Sequence, residues 1–514
     1  MISHLMPVKA VIVGRQIDIE EVHRVARRGA DATLHEAAES NLLRTRALLE
    51  RALADGATVY GVNTGFGALS GVKVPTARLQ DLQRNLLRSH AVGVGEPLGA
   101  DVVRALLMLR AHTLALGASG VRPLVPQRLL ELLRAGVVPV VPCQGSVGAS
   151  GDLAPLAHLA LPLIGEGEAW LDGQRMSGAD ALRERGIDPL DLAAKEGLSL
   201  INGTQVTTAI TALALADARE LVEAADIIGA SSLDALLGTT ACLDARIHAG
   251  KPHPGQIHSA ELIAKLLAGS PLNQSHADCG RVQDAYSMRC MPQVHGSVRA
   301  AIDYAAAAVN IELNSFTDNP LVLLRDPNDH AAGFDVLSGG NFHACSVALP
   351  ADHMTAALTT LATISERRTD RLCTAAHSRG LPAFLTNDPG VESGFMMAQV
   401  TAAALASECK SMSFPASTDS IPTSAGKEDH VSMGPIAARK LAAVVRNLAH
   451  VLAIEAAAAA RAMDLRDHPS SPALVRVHAV IREHVAPFTG DRSMTAELES
   501  LAQAILDGAL RQAL

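Results

Sequence analysis

The stretch Gly145-Ser146-Val147-Gly148-Ala149-Ser150-Gly151-Asp152 carries potential chemistry through the size of its residues rather than through a reactive side chain. At Ala149-Ser150-Gly151 the small residues let the backbone fold back until the amide nitrogen of Gly151 reaches the carbonyl carbon of Ala149. Closing that bond with loss of water, including the Ser150 hydroxyl, would leave a five-membered ring bearing an exocyclic methylene. Such a ring is an electrophile, which no ordinary side chain supplies and for which cofactors are usually recruited. The alternative for the same residues is a small-residue loop before a helix, either structural or cradling an anion. On the tripeptide alone that loop is the simpler reading.

Other segments collect residues that could assist. Tyr60-Gly61-Val62-Asn63-Thr64-Gly65-Phe66-Gly67 marks an irregular, tightly turned loop holding a phenol. In Val282-Gln283-Asp284-Ala285-Tyr286-Ser287-Met288-Arg289-Cys290, a helical conformation would put Tyr286 and Arg289 on one face, and an arginine suits a bidentate grip on a carboxylate. The same Arg289 could equally be a salt-bridged surface residue. Asn202, in Asn202-Gly203-Thr204-Gln205, reads on its own as a cap for the long helix that follows. Ser338-Gly339-Gly340-Asn341-Phe342-His343 and Gly426-Lys427-Glu428-Asp429-His430 are polar turns. Their histidines and Glu428 lack helical ligand spacing, so no metal site is expected. His90 alone reads as a satisfied core or loop histidine.

The elements that must position these residues differ along the chain. Val8 to Val13, Gly14 and a helix capped by Asp18 and running to Arg28 form a small opening unit. Helical patterns follow at 34–54, 76–88, 100–116 and 126–135, with Ser89 to Gly95 as a loop and Trp170 to Met176 as a hairpin turning at Asp172-Gly173. From Gln205 the texture shifts to alanine-rich helices at 206–237, 294–314, 349–371, 393–412, 435–463 and 497–514, which suit a closely packed bundle. The expected fold is therefore mainly α: a smaller irregular α/β N-terminal domain, residues 1–205, with the Tyr60 and Ala149-Ser150-Gly151 loops, and a helical bundle, residues 206–514, with the Tyr286/Arg289, Phe342 and Glu428 loops.

Composition bounds the function. A chain of 514 residues, 48% apolar and 19% charged, has length for a large core and more than one domain. The net charge of −9, without runs of like charge, argues against a nucleic-acid partner. The 7 cysteines form no C-x-x-C pair, which argues against a zinc site or a disulfide scaffold. Residues 1–13 lack a signal-peptide core and the apolar helices carry charges such as Asp217, Arg219 and Glu220, so no membrane association is expected and the reducing cytoplasm is the expected location. With 1 Trp, 3 Tyr and 8 Phe, each tyrosine calls for its own explanation.

Taken together, the Tyr60 to Gly67, Gly145 to Leu153, Asn202 to Gln205, Tyr286 to Arg289 and Glu428-Asp429-His430-Val431-Ser432-Met433 segments resemble the aromatic amino acid ammonia-lyase family, nearest its histidine branch. They occur in the family's order and span most of the chain. The resemblance implies a mainly helical homotetramer with active sites shared between subunits. It also implies autocatalytic cyclisation of Ala149, Ser150 and Gly151 to a methylidene-imidazolone (MIO) group, with no external cofactor. By the same resemblance Tyr60 would remove the β-proton of a small-molecule amino acid substrate, for which a phenol needs a positive environment. Arg289 would hold the carboxylate, Asn202 and Tyr286 would assist around the MIO group and the amine, and Gln283 and Phe342 would line the pocket.

The pair after the Leu-Leu-Arg run reports the substrate ring in this family, and Ser89-His90 matches the histidine branch. An imidazole needs polar partners on both nitrogens, which His90 and Glu428 could supply, and one left unpaired costs about 1–3 kcal/mol. L-Histidine, with urocanate as product, is the expected substrate. The chain departs from that branch at Gly426-Lys427, where a cation could pair with Glu428, and at Cys345-Ser346, Phe414 and Cys143-Gln144. These departures keep open a 2,3-aminomutase or a lyase acting on another aromatic amino acid such as tyrosine. A catalytically silent helical scaffold is the alternative from a different class.

Overall fold

Asp18 starts the first helix with a reciprocal cap: its Oδ1 accepts from the Glu21 amide at 2.8 Å, while Glu21 Oε2 accepts from the Asp18 amide at 3.2 Å. The helix Ile19–Arg27 buries Ile19, Val22, Val25 and Ala26. It connects the parallel strands Val11–Val13 and Ala32–Leu34. The computed structural model describes residues 9–280, 282–326 and 333–514, so Val8, where the first strand is expected to begin, lies outside the described residues.

The fold is mainly helical, with long helices at Gln205–Ala235, Met291–Leu313, Cys345–Cys373 and Gly434–Asp464. The strands are short and form sheets of two or three. The chain divides into two compact units, each assembled from separate stretches. One holds the residues up to Leu213 with Ala306–Ala351 and Pro415–Arg439; the other holds Ala214–Ala305, Asp352–Phe414 and Lys440–Leu514. This differs from a single division near residue 205, because the Phe342 and Glu428 loops group with the N-terminal residues.

Within the first unit, the helix Ala100–Ala115 is buried from Ala105 to Ala115, polar Arg110 and His112 included. A helix apolar on nearly every side belongs inside a core, and this one packs on Ile19–Arg27 and Leu124–Ala135. The hairpin Glu168–Leu171 with Gln174–Ser177 turns at Asp172 and Gly173, whose φ values are 49° and 79°, as its Asp-Gly signature predicts. The helix expected to end at Arg88 runs on as Leu79–His90, since no glycine or proline interrupts it before Gly93.

In the second unit, Arg368 and Glu455 are fully buried as a pair, with nitrogen to oxygen distances of 2.6 and 2.9 Å. The Ser232 and Ser365 hydroxyls donate to the same carboxylate, so both buried charges are hydrogen-bonded. The helices Pro254–Leu267 and Pro472–His484, absent from the sequence expectations, each begin with proline at the first helical position. The C-terminal run breaks into Thr495–Leu506 and Ala509–Gln512 because Gly508 adopts φ 76°. Gly434–Asp464 is long and apolar enough to cross a membrane, but 72% of its most apolar window is buried in protein.

Candidate active site

The Ala149-Ser150-Gly151 loop sits against a close backbone contact. Gly151 has φ 78° and bridges Gly203, and a Cβ on Gly151 would lie 2.4 Å from the Gly203 nitrogen and oxygen. Only glycine fits such an approach. The Asp152 amide donates to Gly203 O at 2.7 Å. On the other side, Val147 O accepts from the Met433 amide at 2.8 Å, and Gly148 O accepts from the Ala344 amide at 3.2 Å and from Ser432 Oγ at 2.8 Å. Ala149 packs with Val431 and Met433, flanked by Val147 and Ala416. Backbone bonds thus tie the loop to the segments that follow Phe342 and Glu428.

Each polar end of Ser150 has its own partner. Asn202 Nδ2 donates to Ser150 O at 2.7 Å, and Ser150 Oγ donates to Glu428 Oε1. Thr423 Oγ1 donates to the second oxygen, Glu428 Oε2. Asn202 occupies the C-cap position of Glu196–Ile201, while the long helix starts later, at Gln205. Its reading as an N-terminal cap is therefore replaced by a side chain spent on the Ser150 carbonyl. Asp152 is fully buried; its oxygens accept from the Thr207 amide at 2.8 Å and Thr207 Oγ1 at 3.0 Å, and burial pushes its carboxyl up to about 7.

This arrangement fits the cyclised group in three respects. The glycine positions allow the tight fold, Ser150 Oγ is the hydroxyl that would leave, and the carbonyl oxygen left in the ring already has a donor in Asn202.

Ser89 and His90 lie at the end of Leu79–His90 rather than in the loop after it. His90 Nδ1 faces Leu86 O at 2.9 Å and Ser89 Oγ at 3.1 Å. A carbonyl can only accept, so Nδ1 carries the hydrogen and Nε2 is left as an acceptor. Burial lowers the His90 pKa, against smaller upward effects from the Leu86 carbonyl and the Glu428 charge. The ring is therefore neutral at neutral pH.

Tyr60 OH accepts from the Gly67 amide at 3.1 Å, and its ring meets Phe66 edge-on, with centroids 6.5 Å apart. Gly67 abuts the turn that leads to Glu428: a Cβ there would lie 2.6 Å from Ser424 Oγ. Phe342 is half-buried, two residues before the Ala344 amide that bonds Gly148 O. The first unit thus gathers Tyr60, Ala149, Ser150, Gly151, Asn202 and Glu428 with Phe342, Ser89 and His90.

Gln283, Tyr286 and Arg289 belong to the second unit. Tyr286–Arg289 forms one helical turn, and the Arg289 Cζ lies 4.6 Å from the Tyr286 ring centroid, so the expected shared face is present. Tyr286 is 71% exposed and Gln283 is exposed, while Arg289 Nε is buried without a hydrogen-bond partner among the described residues. Asp284 anchors the segment, accepting from the Thr239 amide at 2.7 Å and from Arg379.

Lys427 does not pair with Glu428. Its side chain is exposed, and the Glu428 carboxylate is occupied by the hydroxyls of Ser150 and Thr423. Ser346, where the sequence departs from the family pattern, donates to Glu312 Oε2 at 2.8 Å. Sequence reasoning missed Thr423 and Thr207, for a lone threonine in a turn or a helix gives no sign of its acceptor.

Comparisons with known proteins place the chain in a family. A family model described as aromatic amino acid lyase matches residues 17–483. A histidine ammonia-lyase of Koribacter versatilis is 51% identical over 508 residues, covering 98% of each chain. Among solved structures, histidine ammonia-lyase from Trypanosoma cruzi superposes with TM-score 0.90 at 39% identity, covering 98% of this chain and 95% of that one. Tyrosine aminomutase from Streptomyces globisporus superposes with TM-score 0.92 at 37% identity, covering 98% of each. The segments around Tyr60, Ser150, Asn202, Arg289 and Glu428 all fall within the matched range, and the chain belongs to the aromatic amino acid lyase family.

Proposed function

We propose that this protein is a carbon–nitrogen lyase that removes ammonia from L-histidine to give trans-urocanate. The observation that carries the reading is the placing of Ser150 between Asn202 and Glu428, with a neutral His90 under the influence of the same carboxylate. Its relatives named histidine ammonia-lyase, about half identical over nearly their whole length, support the choice of substrate.

Ala149, Ser150 and Gly151 would hold the MIO group as part of the chain. In its formation Gly151 N bonds to the Ala149 carbonyl carbon, and the carbonyl oxygen leaves as water with the amide hydrogens of Gly151 and Ser150. Ser150 then loses its hydroxyl and α-hydrogen as a second water. Once formed, the group supplies an electrophilic carbon for the substrate amine. Loss of Ser150 Oγ releases Glu428 Oε1, which becomes free to accept from the substrate imidazole. His90 Nε2, turned outward by the Nδ1–H bond to Leu86 O, accepts from the other ring nitrogen, and Ser89 braces His90. Between a carboxylate and a neutral imidazole, the substrate ring is favoured in its protonated form, which acidifies its β-carbon. Tyr60 takes the β-proton, Asn202 holds Ser150 O, Tyr286 assists at the amine, Arg289 grips the carboxylate, and Gln283 and Phe342 form walls.

The working form is a homotetramer in which loops from more than one subunit complete each site. The exposed Val282 and Tyr286 suit a segment that another subunit covers. Incubation with L-histidine, L-tyrosine and L-phenylalanine tests the assignment. Urocanate and ammonia from histidine are expected. Turnover of tyrosine with silence toward histidine would overturn the substrate, and a β-amino acid product would replace elimination by 2,3-amino migration.

A further inference from the structure

Behind the Asn202–Gly203 peptide lies Arg110, fully buried in the helix Ala100–Ala115. Its Nη1 donates to Asn202 O at 2.9 Å and to Gln205 Oε1 at 2.6 Å, while Nε and Nη2 are buried without hydrogen-bond partners among the described residues. Gln205 is itself fixed, its Nε2 donating to Thr113 Oγ1 at 2.9 Å and Thr317 Oγ1 at 2.8 Å. The contact with the peptide is close: a Cβ on Gly203 would lie 2.4 Å from Arg110 Nη1.

Among the described residues no carboxylate touches this guanidinium. The charge of Asp318 reaches it, but Asp318 Oδ2 is held by Lys195 Nζ at 2.7 Å and Ser199 Oγ at 2.8 Å, and Asp318 Oδ1 by the Asn319 amide at 2.7 Å. Two buried cations, Arg110 and Lys195, therefore share one buried anion. Burial pushes the Arg110 pKa down to about 10, which leaves it cationic at neutral pH. A buried charge with neutral partners is an expensive way to hold a core together, and an apolar residue would serve stability better.

We propose that Arg110 is a positioning residue for the electrophile: it locks the Asn202–Gly203 peptide so that Asn202 Nδ2 stays on Ser150 O, and its fixed charge favours negative charge on that oxygen. The inference rests on the reading that Ala149-Ser150-Gly151 matures into the electrophilic group. Conjugate addition of an amine to a methylene attached beside a carbonyl moves charge onto the carbonyl oxygen, here Ser150 O. A donor prealigned at that oxygen, with a cation behind it, lowers the barrier without reorganising during the reaction.

Intact mass and steady-state kinetics of Arg110→Lys and Arg110→Met test this, with Leu107→Ala as a control that destabilises the same buried helix while leaving the Arg110 side chain in place. Arg110→Lys is expected to lose both waters but to lower kcat roughly tenfold at little-changed KM, because it keeps the charge while its ammonium stops one bond short of the place where Nη1 meets Asn202 O and Gln205 Oε1. Folded Arg110→Met is expected to retain the waters in most molecules, and Leu107→Ala to lose them fully. Wild-type kcat in Arg110→Lys, or equal retention of water in Leu107→Ala and Arg110→Met, would overturn the proposal. If Arg110→Met does not fold, the kinetics of Arg110→Lys decide alone. A wild-type chain that retains both waters would instead overturn the proposed function, so the two failures are distinguishable.

Discussion

Asn202 donates its side-chain amide to the carbonyl oxygen of Ser150 at 2.7 Å. The donor is thus aimed at the atom that would take up charge in the proposed reaction, not at the helix terminus its sequence position suggests. Asn202→Ala should therefore reduce kcat by about 10²–10³, the usual cost of one donor aimed at a developing oxyanion. KM should move little. Steady-state kinetics with L-histidine on protein of verified intact mass checks this, and a change confined to KM would place Asn202 in substrate binding instead.

Ser150 is the sole source of the methylene carbon in the proposed group. Ser150→Ala should show no loss of water by intact mass and no turnover of L-histidine, while its thermal unfolding stays close to that of the parent. A fully active variant would remove the electrophile from the mechanism.

Glu428 is tied to Ser150 Oγ and Thr423 Oγ1, and its charge reaches His90. A charge-assisted hydrogen bond to a substrate ring contributes about 1.5–3 kcal/mol, so Glu428→Gln should raise KM for L-histidine by roughly ten- to a hundredfold. Any slow turnover of L-phenylalanine should be spared, because its ring has no nitrogen to pair. Equal losses on both substrates would move Glu428 from recognising the ring to acting on the electrophile.

Much of this site is legible in the sequence because its signals are local. The glycines around Ser150 have to be small, and the Asp172-Gly173 turn and the Asp18 cap follow from short-range chemistry. Ser89-His90 can be recognised by type, although its place on a helix rather than a loop was hidden by the lack of any terminating residue before Gly93. Long-range partners are another matter. Nothing in the spacing says that Thr423 meets Glu428, that Asn202 reaches back to Ser150, or that Arg110 lies under Asn202, since those pairings depend on tertiary packing. The same limit hid the grouping of residues 306–351 and 415–439 with the N-terminal unit.

His112 offers a test of the fold apart from the chemistry. Its side chain is fully buried in the helix Ala100–Ala115, and Nδ1 accepts from the Gly14 amide at 3.1 Å. Burial lowers its pKa from 6.5 to about 4, so the fold holds the ring neutral. Above pH 6.5 neither the folded nor the unfolded chain protonates it, and its contribution to stability is fully present. As pH falls from 6.5 to about 4 the unfolded chain takes up a proton that the fold refuses, and stability drops by about 3 kcal/mol before levelling off. His112→Gln keeps an acceptor for the Gly14 amide and removes the titration. Urea unfolding of the two proteins across that window should therefore show a shallower acid limb for the variant, whereas parallel losses would mean that His112 is readily protonated in the folded state.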